Sequence, residues 1–241
     1  MRLNPIFRND MRFRLTSSKA ISIFTIYLSL LGALAMLALP PEVGRLDELR
    51  QEGLLRAMLI VQMVLVTYLT SAAACGEIAV DGEKSPWDLA ASPFPSGVIA
   101  RGKVATSLAF AATLVVVGLP IIVIIAAIRG EPLGPLLRAP VVGLPLAVAM
   151  GALGSLYGAV FDSDFARSFV HWLTLVVLII ATTALPAPWG LIGPVRALSE
   201  AAQGLRAGAL LVACGYVMLS AAATAALRGR IDAIRREAAR T

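Results

Sequence analysis

Long apolar runs broken by short charged clusters dominate this chain. Six stretches are nearly free of charge and come close to the ~20 residues that a helix needs to cross a hydrocarbon core. They are Ala20–Leu39, Ala57–Gly76, Val104–Ile128, Ala139–Phe161, Ser168–Leu185 and Ala207–Leu227, with charges, Pro or Gly at their boundaries. Backbone N–H and C=O groups facing lipid have no water to pair with, so each run is predicted to be helical. The alternating pattern of a membrane β-barrel is absent. The expected fold is all-α integral membrane, six transmembrane helices in one domain over residues 1–241.

Composition agrees with this picture. The chain is 58% hydrophobic and only 15% charged, with a mean hydropathy of +0.82, whereas a soluble domain of this length needs more charge to face water. The net charge of +6 raises the question of nucleic acid. The cations sit in the segments between spans, where membrane proteins gather Lys and Arg near anionic headgroups, so no nucleic-acid partner is expected. Cys75 and Cys214 both fall in apolar runs without metal or redox spacing, and two buried thiols are expected.

Basic residues precede the first run, which is too long for the core of a cleaved signal and reads as an uncleaved signal-anchor. With the N-terminus inside, the cytoplasmic segments hold fourteen Lys and Arg and the outer loops seven. That asymmetry predicts both ends in the cytoplasm.

Residues 4–19 read as an amphipathic helix, with Asn4 as cap and Pro5 at the first helical position. Phe7, Met11 and Leu15 share one stripe, and Arg8, Arg12 and Lys19 lie toward the other side. This suits a helix lying on the cytoplasmic membrane surface; the plainer alternative is a basic flank that only fixes topology.

The segment 77–103, between spans two and three, is long for a turn. Ser85 can cap a short helix with Pro86 at its first position and Trp87, Asp88 and Leu89 after it, ended by Pro93 and Pro95. Two readings fit Trp87 equally: an anchor at headgroup depth, or part of a short helix that docks in another protein's groove. The segment from Pro186 to Arg206 carries Pro186, Pro188, Trp189, Gly190, Gly193 and Pro194 and then VRALSEAAQGLR, a short helix in a partly re-entrant segment or an ordered outer loop.

Span four has Gly143, Ala147, Gly151, Gly154 and Gly158, small residues that let helices approach closely. Gly118 and Pro120 should bend span three. His171 is the sole histidine, which excludes His-based metal triads. A satisfied structural role outweighs a proton relay for it. Gly97 to Lys103 matches most of a phosphate-binding loop, but Val104 stands where a Ser or Thr hydroxyl is needed and no strand precedes it, so it is rejected as a nucleotide site. No catalytic constellation remains, and an intramembrane enzyme would need one.

The basic NPIFRNDMRFRL opening, six spans with both ends inside and the first cytoplasmic loop together resemble the membrane subunits of ABC transporters of the ABC-2 (type V exporter) class. The family's loop elements correspond here to Glu77, Glu83, Trp87, Asp88, Leu89, Pro93, Gly102 and Lys103; Pro86 departs from it, standing where small residues are common. The resemblance implies that 77–103 holds a coupling helix seated in a cytosolic ABC ATPase subunit. That partner would bind ATP and Mg, leaving this chain without a cofactor or catalysis. It further implies a second permease subunit, the same chain or a paralogue, and a place in the bacterial inner membrane. Spans one, two and five would form the subunit interface, with Gln62, Thr67, Tyr68, Thr70 and Ser71 as its polar lining; interhelical hydrogen bonding accounts for those five residues as well. A haem-exporter-like permease of cytochrome maturation and a non-transporting membrane scaffold are the alternatives.

Overall fold

The computed structural model of the protein describes residues 4–38, 54–76, 88, 91–130, 132–181, 184–185 and 193–240. Every regular element among them is helical: α1 (Pro5–Thr16), α2 (Ser18–Ala38), α3 (Leu54–Cys75), α4 (Ser96–Arg129), α5 (Gly134–Val160), α6 (Asp164–Val176), α7 (Pro194–Gln203) and α8 (Ala207–Ala238). Five of these, α2, α3, α4, α5 and α8, are long and apolar enough to cross a membrane. The chain is therefore an all-α, multi-pass membrane protein. α6 passes directly into a π-helical turn, Val177–Ala181, so its helical run continues to Ala181.

α5 is the hub, with its largest interfaces against α3 and α8. The small residues of span four explain the first of these. Gly143, Gly154 and Gly158 face α3, Gly151 lies between Ser107 of α4 and Thr70 of α3, and a Cβ on Gly154 would lie 2.5 Å from the Ser71 carbonyl oxygen. The two backbones touch because nothing stands between them, which is how helices gain contact in lipid, where apolar side chains win nothing by leaving one oily phase for another. α5 runs unbroken through Pro140 and Pro145, and α4 through Pro120.

Two clusters of contacts, one apolar and one polar, mark opposite ends of the bundle. At one end Ile6, Ile99, Ala159, Leu227 and Ile231 pack together, joining α1, the start of α4 and the ends of α5 and α8. At the other, the Arg138 guanidinium donates to the Gln203 carbonyl at 3.5 Å, and the Gln203 amide oxygen, turned toward Arg56, accepts from it at 2.7 Å. The chain thus leaves α5 at the first end and enters α7 at the second, with α6 and its π turn between.

Helix ends depart from the expected spans where charge is neutralised or leaves the bilayer. α4 begins at Ser96 rather than Val104, eight residues into the expected loop, because Lys103 is neutralised inside the bundle. α8 continues past Leu227 to Ala238 as an arginine-rich helix. α7 appears where VRALSEAAQGLR predicts a short helix, burying Ala197, Leu198, Ala201 and Ala202. Trp189 lies outside the described residues. One expectation fails: Cys75 is buried, but Cys214 is exposed on the outer face of α8 beside Leu210, Leu211, Val217 and Met218. A side chain there is shielded by lipid rather than by protein, and hydropathy alone does not separate the two.

Candidate functional site

The end of the bundle holding α1 is built around charge. Asn4 caps α1, its Oδ1 accepting from the Ile6 N–H at 2.9 Å while its Nδ2 donates to the Val98 carbonyl at 2.8 Å. Pro5 follows at the first helical position, as its fixed φ favours. The cap therefore both starts α1 and ties it to α4. Ile6 then packs on Gly102, where a Cβ would come within 2.8 Å of the Ile6 Cβ. Only glycine admits so close an approach.

One turn on, Asp10 pairs with Lys103 at 2.9 Å, both side chains almost fully buried. One turn further, the Arg14 guanidinium lies 5.4 Å from the centroid of Phe110 and is buried as well. A cation over an aromatic face gains most where water is excluded. The stripe of α1 turned into the bundle is therefore Ile6, Asp10 and Arg14. Phe7, Met11 and Leu15, expected to define the apolar side, occupy the neighbouring face, where Leu15 is exposed. Arg8 and Arg12 point to solvent, as expected of the basic side.

The loop between α3 and α4 returns to the bundle at this same end. Its last residues, 91–95, form a turn and bends, and the Arg235 guanidinium of α8 donates to the carbonyls of Ser92 at 3.0 Å and Phe94 at 2.6 Å. Phe94 packs on the Ile99–Leu227–Ile231 cluster. Nearby, Arg230 donates to the Ala159 carbonyl at 3.2 Å, tying α8 to the end of α5. Among the expected loop residues, Asp88 is helical and exposed, and Pro93 is exposed in a bend. Glu77, Glu83, Trp87 and Leu89 lie outside the described residues. Gly97 to Lys103, the segment resembling a phosphate-binding loop, is helical throughout and forms no loop.

The polar residues of span two are brought together differently. Gln62, Thr67, Thr70 and Ser71 are buried inside the bundle and Tyr68 is half-buried. The Gln62 Nε2 donates to the Tyr27 hydroxyl at 3.2 Å and to the Val115 carbonyl at 3.3 Å, linking α2, α3 and α4. Thr67 and Ser71 hydroxyls donate to carbonyls one turn back, of Met63 and Thr67. The buried His171 Nε2 shares a 2.8 Å hydrogen bond with the Ser71 hydroxyl, its ring stacked on Tyr68. Gln62 and Ser71 thus bond across helices, while the Thr67 hydroxyl bonds within α3. His171 is held between α3 and its own helix by a hydrogen bond and a ring contact.

The chain matches no family model, no curated protein and no solved structure.

Among the described residues no three His, Cys, Asp or Glu side chains converge as a metal site. What the α1 end offers is mechanical: α1 is fastened to α4 by buried charge, and α8 to α5 and to the exit of a long loop by guanidinium-to-carbonyl bonds. Asp10, Arg14 and Arg235 were not singled out from sequence. A signal for the first was present, because Asp10 is the one acidic residue in a twelve-residue basic helix.

Proposed function

We propose that this chain is the membrane-spanning permease subunit of an ATP-driven exporter of the ABC-2 type, hydrolysing nothing itself. The observation that carries this reading is the fastening of the loop exit. A force applied to 77–95 would pass through the Ser92 and Phe94 carbonyls to Arg235 on α8, and along the chain into α4. α4 is locked to α1 by the Asp10–Lys103 pair. A loop that merely linked two spans would need no such attachment. In this reading a cytosolic ATPase holding ATP and Mg seats the loop through Glu77, Glu83, Trp87, Asp88, Leu89 and Pro93. Its closure then shifts the bundle between two packings, which is what alternating access requires.

Six spans and an N-in, C-in orientation belong to the same proposal. α5 ends at the α1 end and α7 sits at the opposite end, which supports a crossing by the run Asp164–Ala181, whose length of about 27 Å is nearly that of a hydrocarbon core. Of the three spans expected at the subunit interface, α2 and α6 keep broad apolar faces uncovered: Ile26, Leu30 and Met36 on one, Phe169, Trp172 and Val176 on the other. A second permease subunit would cover these, and α3 would stay interior. The membrane would be the bacterial inner membrane.

The test is to tag the chain and extract it gently from its native membrane. A soluble ATPase should accompany it in stoichiometric amount, and Trp87→Ala with Asp88→Ala should release that partner while the chain remains folded. Absence of any ATPase under several mild detergents would sink the permease reading in favour of a membrane scaffold.

A further inference from the structure

Between α4, α5 and α8 an open groove of about 940 Å³ runs from mid-bundle to the α1 end. Its walls are mainly apolar, with Val104 and Leu108 of α4, Val148 of α5 and Val217 of α8, and α8 leaves it deep by presenting the small Ser220, Ala221, Thr224 and Ala225. Its mouth is cationic. Arg101 and Arg228 both line it there, and both are exposed. They converge on Gly97: a Cβ at that position would lie 3.8 Å from the Arg101 Nη2 and 3.9 Å from the Arg228 Nε. Arg101 spends its Nε on the Gly97 carbonyl at 3.0 Å. Among the described residues no acidic side chain pairs with either guanidinium. Two like charges brought to one spot repel each other unless an anion lies between them.

The groove's length matches one lipid leaflet. From Gly97 to Leu108, and from Val217 to Arg228, the helices rise about 16 Å, close to half of the ~30 Å hydrocarbon core. Mid-bundle, where the groove ends, is where one leaflet ends. The first turn of α4 adds to the cationic mouth, since no side chain caps this helix and its N–H groups carry partial positive charge.

We propose that this groove is a binding site for an anionic phospholipid of the leaflet at the α1 end, its phosphate held between Arg101 and Arg228 and one acyl chain lying along Val104, Leu108, Val148 and Val217. Basic pockets between membrane helices at headgroup depth take such lipids. The proposal rests on the groove and its charge alone, and stands whether or not the chain serves an ATPase.

The experiment is native mass spectrometry of the full-length protein, released from mild detergent after equilibration with equal amounts of phosphatidylglycerol and phosphatidylcholine bearing the same acyl chains. The wild-type chain should retain phosphatidylglycerol at least five-fold over phosphatidylcholine. Arg101→Gln with Arg228→Gln should bring that ratio close to one; both positions are exposed, so the fold should persist. Arg8→Gln with Arg12→Gln, exposed but away from the groove, should leave the ratio unchanged. Ala225→Phe should reduce retention of both lipids by filling the acyl path. Equal retention by the wild type, or a preference surviving the Arg101 and Arg228 changes, overturns the proposal. So does a preference lost equally on changing Arg8 and Arg12, which would assign it to general surface charge. Dimers that carry no lipid and dissociate on Ala225→Phe would give the groove to a second copy, and overturn it too.

Discussion

α2 and α3 are near equals as apolar sequences, yet 67% of the α3 stretch is buried inside the bundle and 28% of the α2 stretch. What separates them is bonding across helices and residue size; the hydroxyls of Ser22 and Thr25 on α2 bond to carbonyls one turn back and stay outward. α3 carries Gln62, whose amide nitrogen reaches α2 and α4, and Ser71, whose hydroxyl meets His171 of α6, and it meets the glycines of α5. α2 presents Ile21, Ile26, Leu30, Met36 and Leu37 outward. Lipid tails are as apolar as these side chains, so burying them gains little, while a hydroxyl or amide left in lipid loses its hydrogen bonds. The bundle is sorted by what must leave lipid, and the apolar residues take the remaining faces.

The strongest challenge to that sorting is at the α1 end. Lys103→Met should take the Lys103 ammonium away from the buried Asp10 carboxylate and cost about 3–5 kcal/mol, seen as a large fall in the thermal midpoint of the purified chain in mild detergent. Adding Asp10→Leu should restore most of the loss, since removing both charges also removes the need to pair them. If the double variant stays as unstable as the single one, the pair matters for more than its own neutralisation. Next in size is Gly154→Leu, which drives a side chain into the α3 backbone; about 1–3 kcal/mol is expected, read by the same melting experiment. Smallest are Leu30→Ala and Met36→Ala on α2, expected to stay within about 0.5 kcal/mol for the isolated subunit. A larger effect there would mean that a partner already covers that face in detergent, and the oligomeric state measured in parallel would reveal it.

This contrast also explains what could be read from the sequence. The five long helices were legible because lipid demands long uncharged runs and tolerates little else. The cap and proline of α1 were legible because Asn4 and Pro5 act within one turn. The start of α4 was not, because Arg101 and Lys103 read as a span boundary, and only a partner 93 residues away shows that one of them is neutralised inside. The inward face of α1 was misplaced for the same reason: periodicity marks Phe7, Met11 and Leu15, while the charge pair selects Ile6, Asp10 and Arg14. Polar side chains on span two were found, but whether they line a path or join helices depends on neighbours that no local pattern displays. The Arg235 attachment had no local signal at all, since a guanidinium bound to two backbone carbonyls leaves no trace in residue type.

That attachment has a consequence in time. Arg235 follows Ser92 by 143 residues, so at about 5–20 residues per second a ribosome needs roughly 7–30 s to supply the arginine after the loop has been made. Throughout that interval the loop exit lacks its clasp, and α8 has yet to be threaded. Any protein that recognises the clasped form therefore meets it only once α8 has been synthesised, and a nascent chain still short of Arg235 presents a different surface.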